Sequence, residues 1–155
     1  MEARAGGQAA APPVRFALEC KRQWAVRILS GEKSLECRRY PPPEELAGHK
    51  VWLLAAGGEE GVPSFGDSIP AGASGGELVG WVLFDGAVEW HTAEAFNADA
   101  AQHCVPPDSP YAFPASGGDT GPVYGWRVAA SCRLPQPLPV PAMQRLVRSV
   151  YQAVS

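Results

Sequence analysis

Four residues in one short stretch have the types and spacing to do chemistry: Lys33, Glu36, Arg38 and Arg39, in Gly31-Glu32-Lys33-Ser34-Leu35-Glu36-Cys37-Arg38-Arg39. A lysine amine at a cleft can contact a phosphate or, if desolvated, act as a base. A glutamate three residues on can pair with it or move a proton. Arg38, two residues beyond Glu36, can be oriented by that carboxylate and still reach a phosphate through its guanidinium fork. The competing reading is plain: a solvated turn lysine, and a Glu36–Arg38 salt bridge that only closes the sheet.

These side chains need elements to hold them. The stretch follows Trp24-Ala25-Val26-Arg27-Ile28-Leu29-Ser30, whose apolar spacing is helical. Gly31 then reads as the helix stop. Ser34, Glu36 and Arg38 alternate with Leu35 and Cys37, so in a strand they point to opposite faces. The expectation is helix, glycine turn, strand, with Leu35 and Cys37 toward a core and Glu36 and Arg38 together on the other side. Tyr40 follows, placed either to stack on a base or to pack under the turn at Pro41-Pro42-Pro43.

The rest of the chain reads as short strands and turns. Its 155 residues suit one domain, with 46% hydrophobic residues to fill a core. The 17 glycines and 16 prolines disfavour long helices. Residues 1–13 read as a disordered tail and 14–155 as the domain. Strands are expected over 14–19, 34–38, 50–55, 77–90 with a bend at Gly86, and 123–132. Helices are expected near 23–30, from Thr92 as cap to before Val105, and over 142–153. Loops fill 57–76 and 107–122. Five or six strands with two or three short helices make an α+β domain, a small, partly open β-barrel with helices at its mouth.

Charge adds a surface. The net charge is −3, against strong non-specific binding of nucleic acid, but the distribution is uneven. From Arg15 to Lys50 there are eight Lys/Arg and five Asp/Glu; from Val51 to Trp126 there are no Lys/Arg and ten Asp/Glu; from Arg127 onward there are four Arg and no acid. If the two ends meet in the fold, one surface is locally positive, with Lys21, Arg22, Arg39 and Arg127 as rim candidates. The alternative is that the acids merely keep the protein soluble.

Other site classes find little support. Cys20, Cys37, Cys104 and Cys132 form no Cys-x-x-Cys pair. His91, His103 and Cys104 have no further sensibly spaced ligand nearby, so no metal or cofactor is expected. No phosphate-cradling Gly-x-x-x-x-Gly-Lys loop occurs. No apolar run reaches the roughly 18 residues of a membrane span. An intracellular protein, cytoplasmic or nuclear and without a membrane partner, is the expected setting.

Gly31-x-Lys33-x-x-Glu36-x-Arg38 after a short helix resembles the signature of the ASCH domain family, part of the PUA-like superfamily of small β-barrels. Lys21 and Trp24-Ala25-x-x-Ile28-Leu29 resemble its first helix, and Gly48-x-x-Val51-Trp52-Leu53 its next strand. Val79-Gly80-Trp81-Val82 and Tyr124-Gly125-Trp126-Arg127-Val128 resemble its later strands. The resemblance runs from Val14 to Pro141. It implies a cleft beside the barrel that binds RNA or a modified nucleotide, with Lys33, Ser34, Glu36, Arg38, Arg39, Tyr40 and Lys21 as ligand-binding residues. One branch of the family is an acetylcytidine amidohydrolase and another is linked to ribonuclease activity. The amidohydrolase carries a threonine nucleophile three residues after the motif lysine; Glu36 stands there in this chain, and a carboxylate cannot replace that hydroxyl. The expectation is therefore a binding module. The alternatives are a nucleotide or RNA hydrolase using Lys33 and Glu36 as catalytic residues, and a protein-interaction domain.

Overall fold

The computed structural model describes residues 12–59, 62–113 and 121–154. In chain order the elements are β1 (Phe16–Lys21), α1 (Arg22–Ser30), β2 (Leu35–Arg38), a 3-10 turn (Glu44–Leu46), β3 (Val51–Ala56), β4 (Ser68–Ile69), β5 (Gly76–Trp90), α2 (Ala93–Ala98), α3 (Ala100–His103), β6 (Val123–Leu138), β7 (Met143–Val147) and β8 (Val150–Ala153). The strands form one open, curled half-barrel sheet in the order β2-β6-β5-β3-β1-β8-β7-β4. The class is α+β, as the pattern of elements implies.

β1 and β3 run parallel, Phe16 opposite Val51 and Lys21 opposite Ala56. Their connection carries α1 and β2, and β2 crosses to the far edge, where it pairs antiparallel with β6. β1 and β3 are buried on both faces, which explains their nearly unbroken apolar runs. One core lies beneath the helices and holds Leu18, Trp24, Ile28, Leu53, Phe96 and Trp126. A second, on the other side of the sheet, holds Ala17, Trp52, Leu54, Leu78, Met143 and Tyr151.

α1 buries Trp24, Ala25 and Ile28 on one face. It stops at Gly31, whose φ of +87° suits glycine and whose N–H donates to the Ile28 carbonyl. The helix lies close to β5 at Gly80, where a Cβ would stand 2.5 Å from the Cys132 carbonyl and 2.8 Å from a Leu29 methyl. Gly80→Ala is therefore expected to destabilise the protein by about 1–3 kcal/mol, through forced backbone movement. A thermal or urea melt measures it.

Two expectations are corrected. Residues 142–153 are not a helix but the hairpin β7–β8. Met143, Leu146, Val147 and Val150 fit helical spacing, yet Val147 pairs with Val150 across a two-residue turn at Arg148 and Ser149. Pairing of β8 with β1, Leu18 opposite Val150, outweighs the local preference. Arg148 takes a φ of 53°, a conformation that no Asn-Gly signature announced. Among the described residues the sheet accordingly has eight strands where five or six were expected, with Ser68–Ile69 adding a short edge strand inside the 57–76 loop. β6 also continues past 132, through Pro135 and Pro137, to Leu138. The expected tail lies almost wholly outside the described residues.

Candidate functional site

The helix–turn–strand reading of the central stretch matches its structure, with one difference. Leu35 and Cys37 are buried as expected, but Glu36 on the opposite face is buried too. That face of β2 looks onto a cavity of about 270 Å³, not onto open solvent. Its walls come from β1, α1, β2, the segments at Val62–Pro63 and Pro110–Tyr111, and the β7–β8 turn.

Glu36 is the hub. Its Oε2 accepts from Arg38 Nη2 at 2.8 Å and Nε at 3.1 Å, and from the Cys20 thiol at 3.8 Å. Its Oε1 lies 3.7 Å from Lys33 Nζ. Lys33 is 1% exposed, so it is no solvated turn lysine. Its amine donates to the His103 carbonyl and sits 4.9 Å from the Trp24 ring centroid, a cation–π contact. Its backbone N–H donates to the Arg27 carbonyl, which ties the turn to α1. Arg38 also donates to the Glu19 carbonyl at 2.9 Å. Burial works against the Arg38 charge, but the Glu36 carboxylate outweighs it and raises its pKa.

The other expected residues divide. Arg39 is exposed at the cavity rim, with Nη2 3.4 Å from the Ala112 carbonyl. Tyr40 lines the cavity and packs edge-on against Trp126 at 5.4 Å. Its carbonyl accepts from Trp126 Nε1 and its hydroxyl from the Ser149 N–H. Lys21 lines the cavity, with its amine bound to the Gly57 and Val62 carbonyls and the Ser64 hydroxyl. Ser34 is exposed and lies outside the lining; its backbone bridges the Gln102 carbonyl and the Val128 N–H. Alternation put Ser34 on the Glu36 face, but Ser34 precedes β2, and it is absent from the lining although Lys33 before it is present. Arg127 pairs with Asp85 on the surface and Arg22 with Glu77.

Sequence reasoning missed Glu19, Cys20, Arg148, Ser149 and Tyr111, all of which line the cavity. Glu19 had a signal: an acid inside the apolar run of β1 is unusual. Its Oε2 accepts from the Ser64 N–H at 2.7 Å, while Oε1 is buried with no hydrogen-bond partner. An unpaired buried acceptor costs about 1–3 kcal/mol. Arg148 sits 5.3 Å over the Tyr40 ring. It is delivered by the hairpin turn, so the basic residues of the two chain ends do meet. Burial raises the Cys20 thiol pKa strongly, and pushes that of Cys37 up to about 12 against the opposing pull of Lys33. Neither is a ready nucleophile near neutral pH.

His103 is fully buried, stacked on Phe96 at 4.0 Å. Its Nδ1 accepts from the Val105 N–H, so Nε2 carries the proton and donates to the Phe96 carbonyl at 2.7 Å. Among the described residues no group of three or more His, Cys, Asp or Glu side chains could hold a metal ion. Burial lowers the His103 pKa below 6.5. Above that pH the ring is neutral in folded and unfolded chain alike. As pH falls below 6.5 the unfolded chain takes up a proton that the folded ring resists, so stability is lost. A melting series between neutral and mildly acid pH should show this loss, at most about 1.4 kcal/mol per pH unit. His103→Gln should flatten that dependence.

No protein-family model matches the chain, and no curated protein sequence matches it. Solved structures do. The crystal structure of ASCH from Zymomonas mobilis is similar with a TM-score of 0.52 and 16% identity, over 79% of this chain and 71% of that one. That of a serine-to-alanine mutant of ZmASCH gives a TM-score of 0.51 and 14% identity, over 81% and 72%. At such identities the likeness is one of fold. The chain has a small α+β fold like that of these ASCH structures. No helix among the described residues is long and apolar enough to cross a membrane.

Proposed function

We propose that the cavity is an ASCH-type ligand-reading cleft for RNA or a modified nucleotide, with Lys33, Glu36 and Arg38 at its floor and Arg39, Tyr40 and Arg148 toward its mouth. The observation that carries this reading is the charge of the lining: Lys21, Lys33, Arg38, Arg39 and Arg148 against only Glu19 and Glu36. Formal charge inside the cleft is thus positive in a chain whose net charge is −3. A concave cationic site on an acidic protein selects anions locally without coating itself in nucleic acid. Tyr40, half-buried in the wall, adds aromatic surface against which a base can pack. The Lys33 amine and the Arg38 fork are pre-positioned by Glu36, which lowers the ordering cost of binding. An intracellular setting goes with this reading, because Cys20 and Cys37 are buried free thiols.

The rim supplies the test. Arg39 and Arg148 are exposed, so Arg39→Ala/Arg148→Ala should fold normally. Affinity for a labelled single-stranded RNA oligomer, followed by fluorescence anisotropy, should fall several-fold. The slope of log K against log salt should drop by about 1.4, two phosphate contacts at roughly 0.7 each. An unchanged affinity and slope would remove the two arginines from the binding surface.

One contact favours a second reading. Lys33 Nζ and Glu36 Oε1 are 3.7 Å apart, close enough for a ligand to bridge an amine and a carboxylate, as a hydrolase acting on RNA or an acylated nucleotide requires. Incubating the metal-free protein with acetylcytidine or an RNA oligomer checks it. Binding without turnover leaves the cleft as a reader.

A further inference from the structure

Lys21 lines the cavity, yet its amine is fully engaged by the protein. Nζ donates to the Val62 carbonyl at 2.6 Å, the Gly57 carbonyl at 3.0 Å and the Ser64 hydroxyl at 3.1 Å. An ammonium has three N–H donors, so these contacts use all of them. Cys20, the residue before, turns its thiol to Glu36 at 3.8 Å. Glu19 and Lys21 alternate with it and leave β1 on the other face. Both fasten the same stretch of chain. The Glu19 carboxylate accepts the Ser64 N–H at 2.7 Å, and the Ser64 hydroxyl donates to the Gly57 carbonyl at 3.0 Å. Val62 and Pro63, next to these fastenings, form part of the cavity wall and belong to no helix or strand. Side chains at the end of β1 therefore tie this part of the wall to the sheet.

We propose that Lys21 is a positioning residue of the cleft: it acts on the ligand through the Val62–Pro63 wall and does not touch the ligand itself. The proposal rests on the cleft reading and reassigns one of its cations. A wall outside the sheet and helices keeps freedom that a ligand must take from it on binding. Pinning that wall beforehand removes this cost and raises affinity without any new contact. A compact ammonium on a flexible stem suits the task, because its three donors can converge on two carbonyls and a hydroxyl from one loop. A phosphate in the cleft is then left to Arg39 and Arg148 at the mouth and to Lys33 and Arg38 at the floor.

Two variants separate a pin from a ligand contact. Lys21→Met removes the pin together with its charge. Ser64→Ala loosens the same fastening from the loop side, leaves the Lys21 charge in place and changes a residue outside the cavity lining. The probe is the labelled single-stranded RNA oligomer, its affinity followed by anisotropy across a salt series. Both variants should weaken binding, Lys21→Met by about three- to tenfold and Ser64→Ala by less. The slope of log K against log salt should stay at the parent value in both. In the free protein, hydrogen exchange at the Val62 and Ser64 amides should be faster in both variants than in the parent. Should Lys21→Met fold poorly, Ser64→Ala carries the test alone. A slope lower by about 0.7 in Lys21→Met, with Ser64→Ala binding as the parent does, would place Lys21 on a phosphate and overturn the proposal. Parent-like affinity in both variants, or unchanged exchange at both amides, overturns it too and leaves the cleft reading intact. A parent protein that does not bind the RNA overturns both.

Discussion

Glu36→Leu should lower the stability of this protein by about 3–5 kcal/mol, enough to unfold much of a marginal domain. The reason is the company Glu36 keeps. Its side chain is 6% exposed, that of Lys33 1% and that of Arg38 14%, so water shields little of the set. Removing the carboxylate leaves two buried cations facing each other across a leucine. The Cys20 thiol loses its acceptor as well. Losing a hydrophobic contact of similar size would cost less and would not depend on the partners. The dependence is itself measurable: Glu36→Leu/Arg38→Met should be less destabilised than Glu36→Leu alone, because the uncompensated guanidinium is gone. Chemical denaturation of the parent, both single variants and the double closes the cycle. A Glu36→Leu melt within about 1 kcal/mol of the parent would mean that the cluster is solvated and that its burial is not energetically felt.

Lys33→Met should fold and lose ligand affinity by roughly ten- to a hundredfold, the worth of one charge-assisted hydrogen bond of about 1.5–3 kcal/mol. Methionine keeps the length of the stem and its contact with Trp24 while deleting the charge. The loss should have two parts. One is the missing donor to the ligand. The other is redirection of Glu36, which no longer has an amine 3.7 Å from Oε1 and adds unbalanced negative charge to the floor of the cleft. The second part predicts that Lys33→Met weakens phosphorylated ligands more than the corresponding nucleosides. Calorimetry on a nucleoside and its 5′-monophosphate separates the two. Equal loss for both would place Lys33 against the base or sugar instead of the phosphate.

The local structure of the site was largely legible in the sequence, and its closure was not. Gly31 after Ile28 and Leu29 marks a helix stop, and Leu35 and Cys37 alternate with Glu36 and Arg38, so the helix, turn and strand follow from spacing alone. The burial of Glu36 does not. Alternation says which residues share a face; only the packing of β1, the Pro110–Tyr111 segment and the β7–β8 turn decides that this face is covered. Arg148 and Ser149 were hidden for a related reason. Val147 and Val150 satisfy a helical stripe and a hairpin pair equally well, and the deciding partner, β1, is more than a hundred residues away in sequence. Glu19 was visible as an acid within an apolar strand, yet nothing nearby indicated that its carboxylate is buried against the Ser64 N–H. Ser34 shows the limit of alternation: it precedes the strand, and its backbone is tied to Gln102 and Val128 instead.

The most direct measurement is a ¹⁵N-labelled protein titrated with a short single-stranded RNA and with a modified nucleotide, following every backbone amide. Shifts should concentrate at Glu19–Lys21, Lys33–Tyr40 except Ser34, and Arg148–Ser149, should saturate together, and should be abolished by Lys33→Met at the same ligand concentration. Shifts scattered over the far face of the sheet around Trp52, Met143 and Tyr151, or none at all at saturating ligand, would contradict the cleft reading.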